Sequence, residues 1–157
     1  MLINTRDFGE IEITREDIIV FPAGVFAFED ARNFALLSPL GEDVYPKWLQ
    51  CTDDVSPCFI VFDPFSADEE YIDNVKLEQS DAKTLKIDTE SADNINVRLL
   101  VIATVCDDFK KTTVNMRAPI VINTDNGLAT QVILPQSSDY DFKFPLFDED
   151  EKEGKSC

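Results

Sequence analysis

The chain has 157 residues, of which 31 are acidic and 14 basic, so its formal net charge is −17, and it contains no histidine. This charge opposes direct binding to nucleic acid or to an anionic membrane, and it opposes self-association, so we expect a monomer. Lack of histidine removes the usual general base near neutral pH and the commonest zinc ligand. The charge either attracts a basic partner or serves only solubility, and composition leaves both readings open.

The length corresponds to a single domain. Its longest apolar run, residues 99–103, is far shorter than the about 20 residues that cross a bilayer. The N-terminal segment has neither a basic nor an apolar region of the kind found in secretory signals, so we expect no such signal.

The first half of the chain predicts short strands. Residues 8–13 alternate between polar and apolar side chains, which is typical of a half-buried strand. A pair of strands is predicted around the Asp, Ser and Pro residues of 53–57, because each of these residue types favours turns. The predicted strands of this half are 8–13, 18–21, 34–37, 48–51 and 58–62.

Residues 66–94 are strongly acidic and hold the predicted helices. Ser66 and Glu69 match the spacing of a capping box, and Ser80 is predicted to cap a second short helix. A long strand follows over 95–106, with a turn at Asp107 and Asp108.

Asn126 and Gly127 lie between Val- and Ile-rich runs, which is the strongest short signal for a β-hairpin. Eight to ten short strands with little helix favour a closed sheet, since closure hides strand edges. We therefore predict a mainly β fold: a small antiparallel β-barrel-like single domain over 1–147, with one or two short helices. Residues 148–157 form an acidic, disordered tail by composition.

The cysteines predict packing rather than chemistry. Cys51, Cys58 and Cys106 lie among apolar residues and are expected to be small core residues, whereas Cys157 ends the charged tail. No Cys pair has the spacing of a zinc site, so no metal or cofactor is expected.

No group of residues predicts catalysis. The Ser80-to-Lys83 spacing of certain serine acyl-transferases occurs without the companion motifs of that class, so a helix cap is the better interpretation. The carboxylate pairs Asp53–Asp54 and Asp107–Asp108 are neighbours in sequence, and neighbours on a strand point to opposite faces. We therefore do not expect an enzyme.

The segment TTVNMRAPIVIN, residues 112–123, combines strand-forming residues with a break. Pro119 cannot donate to a sheet, so it belongs at a strand start, an edge or a bulge. Two interpretations remain open: Asn115 and Arg117 hold a bulge between two barrel strands, or they contact a partner.

Taken together, these segments resemble the flagellar assembly factor FliW family over nearly the whole chain to about residue 147. The stretch at 112–123 followed by QVIL is the most specific part. The matching pieces are FGEIEI (8–13), FPAGVFAFED (21–30), WLQCTDD (48–54), FIVFDPF (59–65), TTVNMRAPIVIN (112–123), QVIL (131–134) and YDFKFPL (140–146).

The resemblance implies a cytoplasmic, β-rich regulatory protein that binds flagellin and CsrA, a small RNA-binding translational regulator. In that family a partner switch is implied: flagellin occupies the protein, and its export frees the protein to antagonise CsrA without competing for the RNA site. An alternative is a chaperone that protects flagellin before export. A third reading, a barrel with a ligand pocket, predicts polar groups inside the barrel.

We hypothesise that the acidic residues of 66–94, or those of the Asp53–Asp54 loop, repel RNA from a bound CsrA. Only charges within about 8 Å of the RNA would act at physiological salt. The candidate partner-binding residues are Asp53, Asp54, Phe65, Asp68, Glu69, Glu70, Asn115 and Arg117.

Overall fold

The computed structural model describes residues 1–25, 27–42, 44–66, 78–87, 97–105, 107–134 and 140–145. Its described part is mainly β, with one α-helix, as the sequence predicts. The helix is α1 (Gln79–Leu85). The strands are β1 (Leu2–Thr5), β2 (Gly9–Glu12), β3 (Ile18–Val20), β4 (Asn33–Leu37), β5 (Lys47–Cys51), β6 (Cys58–Phe62), β7 (Val97–Thr104), β8 (Thr113–Val114), β9 (Ile120–Asn123), β10 (Leu128–Gln131) and β11 (Phe144–Pro145).

Seven of these strands close into a barrel in the order β7-β6-β5-β4-β3-β10-β9, and β9 returns to β7. The neighbours are antiparallel except β3 and β10, which pair in parallel at Val20 and Leu128. The predicted antiparallel barrel is confirmed, and this seam is its parallel exception. A closed ring with an odd number of strands cannot alternate direction all the way round, so one parallel neighbour is unavoidable.

Two apolar clusters lie on either side of the barrel wall, because successive strand residues point to opposite faces. The inner cluster fills the barrel and consists of Phe21, Val25, Phe34, Leu49, Cys51, Val61, Leu100, Ile120, Ile122 and Ala129. The outer cluster is covered by α1 and by the chain after β10; it includes Phe62, Leu85, Leu99, Val101, Val114, Met116, Val121, Val132, Leu134 and Tyr140.

Helix α1 confirms the second predicted helix but corrects its cap. The N-cap is Glu78, whose backbone N–H donates to the Asp81 carboxylate at 3.3 Å, and Ser80 lies inside the first turn. At the other end, the Leu85 carbonyl accepts hydrogen bonds from the side chains of Asn123 and Asn126, at 2.9 and 3.2 Å. The hairpin between β9 and β10 thus satisfies a carbonyl at the helix end that would otherwise lack a partner. The helix predicted from Ser66 falls mostly outside the described residues.

The Asn126–Gly127 hairpin is confirmed, with a longer loop than a two-residue turn. Asn123 pairs with Leu128, so four residues form the loop. Within this loop only Gly127 has a left-handed backbone, with a φ of 75°.

The predicted strand at 8–13 is confirmed as part of an N-terminal hairpin, β1–β2, that packs outside the barrel. Ile3 and Ile13 pack on Ala35 of the barrel wall. The Arg6 backbone N–H donates to the Gln50 side chain at 3.0 Å, and a guanidinium nitrogen of Arg6 donates to the Cys58 carbonyl at 2.8 Å. These bonds fasten the hairpin across β5 and β6.

Asp7 at the tip of this hairpin joins two groups. Its carboxylate forms an ion pair with Arg6 at 2.9 Å and accepts a hydrogen bond from the indole N–H of Trp48 at 2.9 Å. The hydrogen bond from Arg6 is the main reason that the pKa of Asp7 lies below its usual value, and the bond from Trp48 adds to it. Phe8 packs edge-on against Trp48, the single tryptophan of the chain, with ring centroids 5.2 Å apart.

We expect Asp7→Asn to loosen the hairpin tip, at a cost of about 0.5–1 kcal/mol for a solvent-screened pair. Because the folded pKa is lowered, the stabilisation by Asp7 is present above the carboxyl's ordinary pKa of 3.8 and is lost as the pH falls below it. Fluorescence of Trp48 in the wild type should therefore change on acidification below about pH 4. The variant should lack this change and Glu16→Gln should retain it; an identical acid response in Asp7→Asn would contradict the assignment.

Lys47 is a buried cation that the sequence does not predict, with 2% of its surface exposed. Like Leu49 two residues further along β5, Lys47 points into the barrel. It lies at the barrel end that includes residues 38–42 and 44–46. Its ammonium donates to the Ser38 hydroxyl at 2.7 Å and to the carbonyls of Gly41 and Glu42. The Lys47 ammonium is therefore a polar group at the end of the barrel interior. Residues that follow β4 accept its hydrogen bonds.

The prediction that the cysteines are small core residues is confirmed for Cys51 and Cys58, which are buried and free. Burial raises the pKa of the Cys58 thiol to about 11, so it stays protonated near neutral pH. Cys106 and Cys157 lie outside the described residues.

Candidate partner-binding surface

One end of the barrel, which we call the mouth, is formed by residues 21–25, 27–32 and 52–57. These loops follow β3 and β5, and they meet because β4 and β5 are antiparallel neighbours with Phe34 opposite Cys51. The backbone N–H of Thr52 donates to the Asn33 carbonyl at 2.9 Å. The two loops thus form one continuous surface.

The first mouth loop folds back tightly on itself. Val25 and Phe28 form an isolated antiparallel bridge, and Gly24 has a φ of 76°. A Cβ at Gly24 would lie 2.6 Å from the carbonyl carbon of Glu29, well inside van der Waals contact. Only glycine fits both the left-handed backbone and this close approach.

Ala27, in the same turn, also has a left-handed backbone, with a φ of 71°. A Cβ in this region costs roughly 1–2 kcal/mol, and the greater chain entropy of glycine offsets about 0.5–1 kcal/mol of the gain from removing it. We expect Ala27→Gly to stabilise the protein by up to about 1 kcal/mol, measured by urea denaturation. Destabilisation by the substitution would mean that the Cβ makes contacts outweighing the backbone cost.

A row of aromatic rings leads from the barrel interior to the mouth. Ring centroids are 5.2 Å apart for Phe21 and Phe34, 6.0 Å for Phe34 and Phe59, and 5.6 Å for Phe59 and Phe28. Phe34 is fully buried, whereas Phe28 at the outer end has 45% of its surface exposed. A rigid aromatic ring held this way is the kind of residue that anchors protein interfaces.

The two mouth loops also carry four exposed carboxylates. Glu29, Asp30, Asp53 and Asp54 are all exposed. Asp53 accepts a hydrogen bond from the Asn33 side chain at 3.1 Å, and the Asp54 carboxylate accepts one from the Val55 backbone at 2.7 Å. Both predicted acidic candidates are therefore held in place at the mouth.

The break in residues 112–123 is a bulge in a strand opposite β7. Between the pairs Leu100–Ile120 and Ala103–Val114, β7 advances three residues while the opposing chain advances six. The Asn115 side-chain oxygen accepts the Ala118 N–H at 3.0 Å and so closes the bulge. This agrees with the bulge interpretation for Asn115, and a role in partner contact stays a prediction.

Arg117, in the same bulge, is half-buried. Its Nε–H donates to the Leu134 carbonyl at 3.3 Å, and its guanidinium lies over the Phe142 ring, 5.0 Å from the centroid. The chain after β10 runs beside the bulge, where the Leu134 N–H donates to the Arg117 carbonyl at 2.8 Å.

The predicted candidate residues do not form one site. Phe65, after β6, packs on the outer cluster that also contains Met116 of the bulge. Asp53 and Asp54 precede β6 and Phe65 follows it, so the length of the strand separates them from Phe65 by about 13 Å or more. Asp68, Glu69 and Glu70 lie outside the described residues. Sequence reasoning missed Phe28 and Phe142, because an aromatic residue in a loop gives no sign of whether it faces inward.

Within the described ranges, no group of three or more Cys, Asp or Glu side chains is arranged to hold a metal ion. None of the described helices has the length and apolar character needed to cross a membrane.

The fold is a small closed β-barrel. Its described surface carries exposed apolar side chains among charged ones, which is typical of the class of proteins that bind other proteins. The sequence model of the FliW protein family matches residues 2–146. The chain is 36% identical to the flagellar assembly factor FliW of Bacillus subtilis (strain 168), with 100% of both chains covered. It is 34% identical to that of Thermoanaerobacter pseudethanolicus, with 95% of each covered.

A crystal structure of the flagellar assembly factor FliW superimposes with a TM-score of 0.81 at 34% identity, covering 96% of this chain and 100% of that chain. The chain belongs to the FliW family of flagellar assembly factors. Its role is therefore in flagellum assembly, and this family is one of regulatory binding proteins.

Proposed function

We propose that this protein binds flagellin and the RNA-binding regulator CsrA in the cytoplasm, and that it antagonises CsrA through a switch between the two partners. The observation that carries the proposal is the mouth, whose two loops carry an exposed aromatic ring and four exposed carboxylates. A protein that binds RNA carries basic side chains around its phosphate-binding surface, and those beside the RNA site complement this acidic mouth.

Antagonism follows from where the charge is placed. When the mouth is seated beside the RNA path, its carboxylates raise the local negative potential and disfavour phosphate. Screening limits this effect to about 8 Å at physiological salt, so Asp53 and Asp54 act only from a site next to the RNA. The acidic segment 66–94 is the other candidate source of repulsion.

The first test is calorimetric titration with CsrA at low and moderate salt, repeated with flagellin already bound. We expect affinity that falls with salt and heat that disappears after flagellin is bound. Heat from flagellin alone, with none from CsrA, would favour a flagellin chaperone instead.

A charge-matched pair of variants tests the mouth. Asp53→Asn with Asp54→Asn should weaken CsrA binding about three- to tenfold, the range for two exposed ion pairs. Glu16→Gln with Glu42→Gln removes the same charge from the opposite end of the barrel, and we expect little change. If neutralising the mouth and the 66–94 segment together leaves the antagonism of RNA binding intact, the repulsion hypothesis is wrong.

A further inference from the structure

We infer that Arg117, Phe142 and Ile133 form a second docking surface, the Arg117 surface, for a partner segment that carries a carboxylate beside an apolar side chain. This goes beyond the proposed function, because it assigns to a separate set of residues, in the 112–123 bulge and the chain after β10, a partner chemistry that the acidic mouth would repel.

The two apolar members are exposed, although other residues of their segments pack on the outer cluster. Ile133 is 46% exposed between buried Val132 and Leu134. Phe142 is 49% exposed, while Tyr140 and Phe144 pack on the outer cluster. Exposed positions of this kind are normally polar, and an exposed apolar pair beside a cation is a typical feature of an interaction surface.

Arg117 is held in a fixed geometry between these segments. One donor is used by the Leu134 carbonyl and one face of the guanidinium lies on the Phe142 ring, so the side chain is ordered before any partner arrives. Ion pairs among the described residues involve only the N-terminus with Glu12 and Arg6 with Asp7. No carboxylate of the described residues therefore forms an ion pair with the Arg117 guanidinium.

The chemistry of the surface selects a carboxylate over an amine. A guanidinium binds a carboxylate through two parallel hydrogen bonds, and a ring stacked against it leaves that fork available. Asp141 and Lys143 are both exposed beside Phe142 and cancel in net charge, so among these described residues Arg117 supplies the net charge. Phe142 and Ile133 then offer apolar contact to a side chain next to the carboxylate.

The test uses two synthetic peptides of leucine and alanine that differ only in carrying glutamates or lysines, titrated into the full-length, isotope-labelled protein at physiological salt. We expect the glutamate peptide to shift the backbone amide resonances of Arg117, Ile133 and Phe142. The lysine peptide should leave these unchanged and act at the mouth. Equal shifts at the Arg117 surface with both peptides, or none with either, would overturn the inference.

Variants separate recognition from folding. Arg117→Gln keeps an N–H for the Leu134 carbonyl but lacks the fork, and we expect the glutamate peptide to bind about tenfold more weakly. Arg15→Gln removes an exposed cation from the turn before β3 and should bind as the wild type does. Phe142→Ala should also weaken binding while keeping the wild-type spectrum elsewhere. Unchanged affinity in both Arg117→Gln and Phe142→Ala would refute the docking surface.

Discussion

Gly24→Ala should destabilise the protein by about 2–5 kcal/mol. Two independent costs add at this position. The left-handed backbone, with a φ of 76°, costs a residue with a Cβ roughly 1–2 kcal/mol. The new Cβ would also lie 2.6 Å from the Glu29 carbonyl carbon, and moving backbone costs roughly a further 1–3 kcal/mol.

Gly9→Ala is the matched control for this substitution. Gly9 has a similar φ of 69°, but a Cβ there would meet nothing within 4 Å. We expect only the backbone cost of about 1–2 kcal/mol. Urea denaturation of both variants separates the backbone cost from the cost of the close contact with Glu29. Equal losses of stability in the two variants would show that the contact with Glu29 adds no cost.

Phe34→Ala should destabilise the protein by about 3–5 kcal/mol, the range for removal of a buried aromatic side chain. Phe34 is fully buried and touches both Phe21 and Phe59. The structure around it is a closed barrel, which relaxes little into the cavity. The same denaturation measurement applies, with a loss below about 1 kcal/mol as the outcome that contradicts a tightly packed interior.

Phe28→Ala removes the neighbouring ring at the exposed end of the same row. Since Phe28 is 45% exposed and makes one edge contact with Phe59, we expect a loss of only about 1–2 kcal/mol. This variant should fold, and its partner affinity can therefore be compared with that of the wild type. A large fall in CsrA affinity would support the mouth as a binding surface.

Local sequence was sufficient to predict most strands, because their signals come from neighbouring residues. The alternation of 8–13, the turn residues of 53–57 and the Asn126–Gly127 dipeptide each act within a few residues. The break at Arg117 to Pro119 was predicted for the same reason, since Pro119 lacks the N–H that a sheet uses. The family resemblance came from longer stretches of the same kind, such as residues 112–123.

The candidate site was predicted only in part. Asp53 and Asp54 were found from their loop, but the exposed ring beside them was not. Whether Phe28 points outward depends on the left-handed turn at Gly24 and Ala27 and on Phe59 in a distant strand. Likewise Arg117 meets Phe142 only because the chain after β10 returns along the bulge.

The sequence by itself determined that this is a small, acidic, mainly β protein of the FliW family, because composition and short-range patterns are properties of the chain. Tertiary structure decided the parallel seam between β3 and β10, the burial of Lys47, and the division of the surface into a mouth and an Arg117 surface. Each of these depends on which distant segments become neighbours when seven strands close, and that choice is made by packing across the whole barrel.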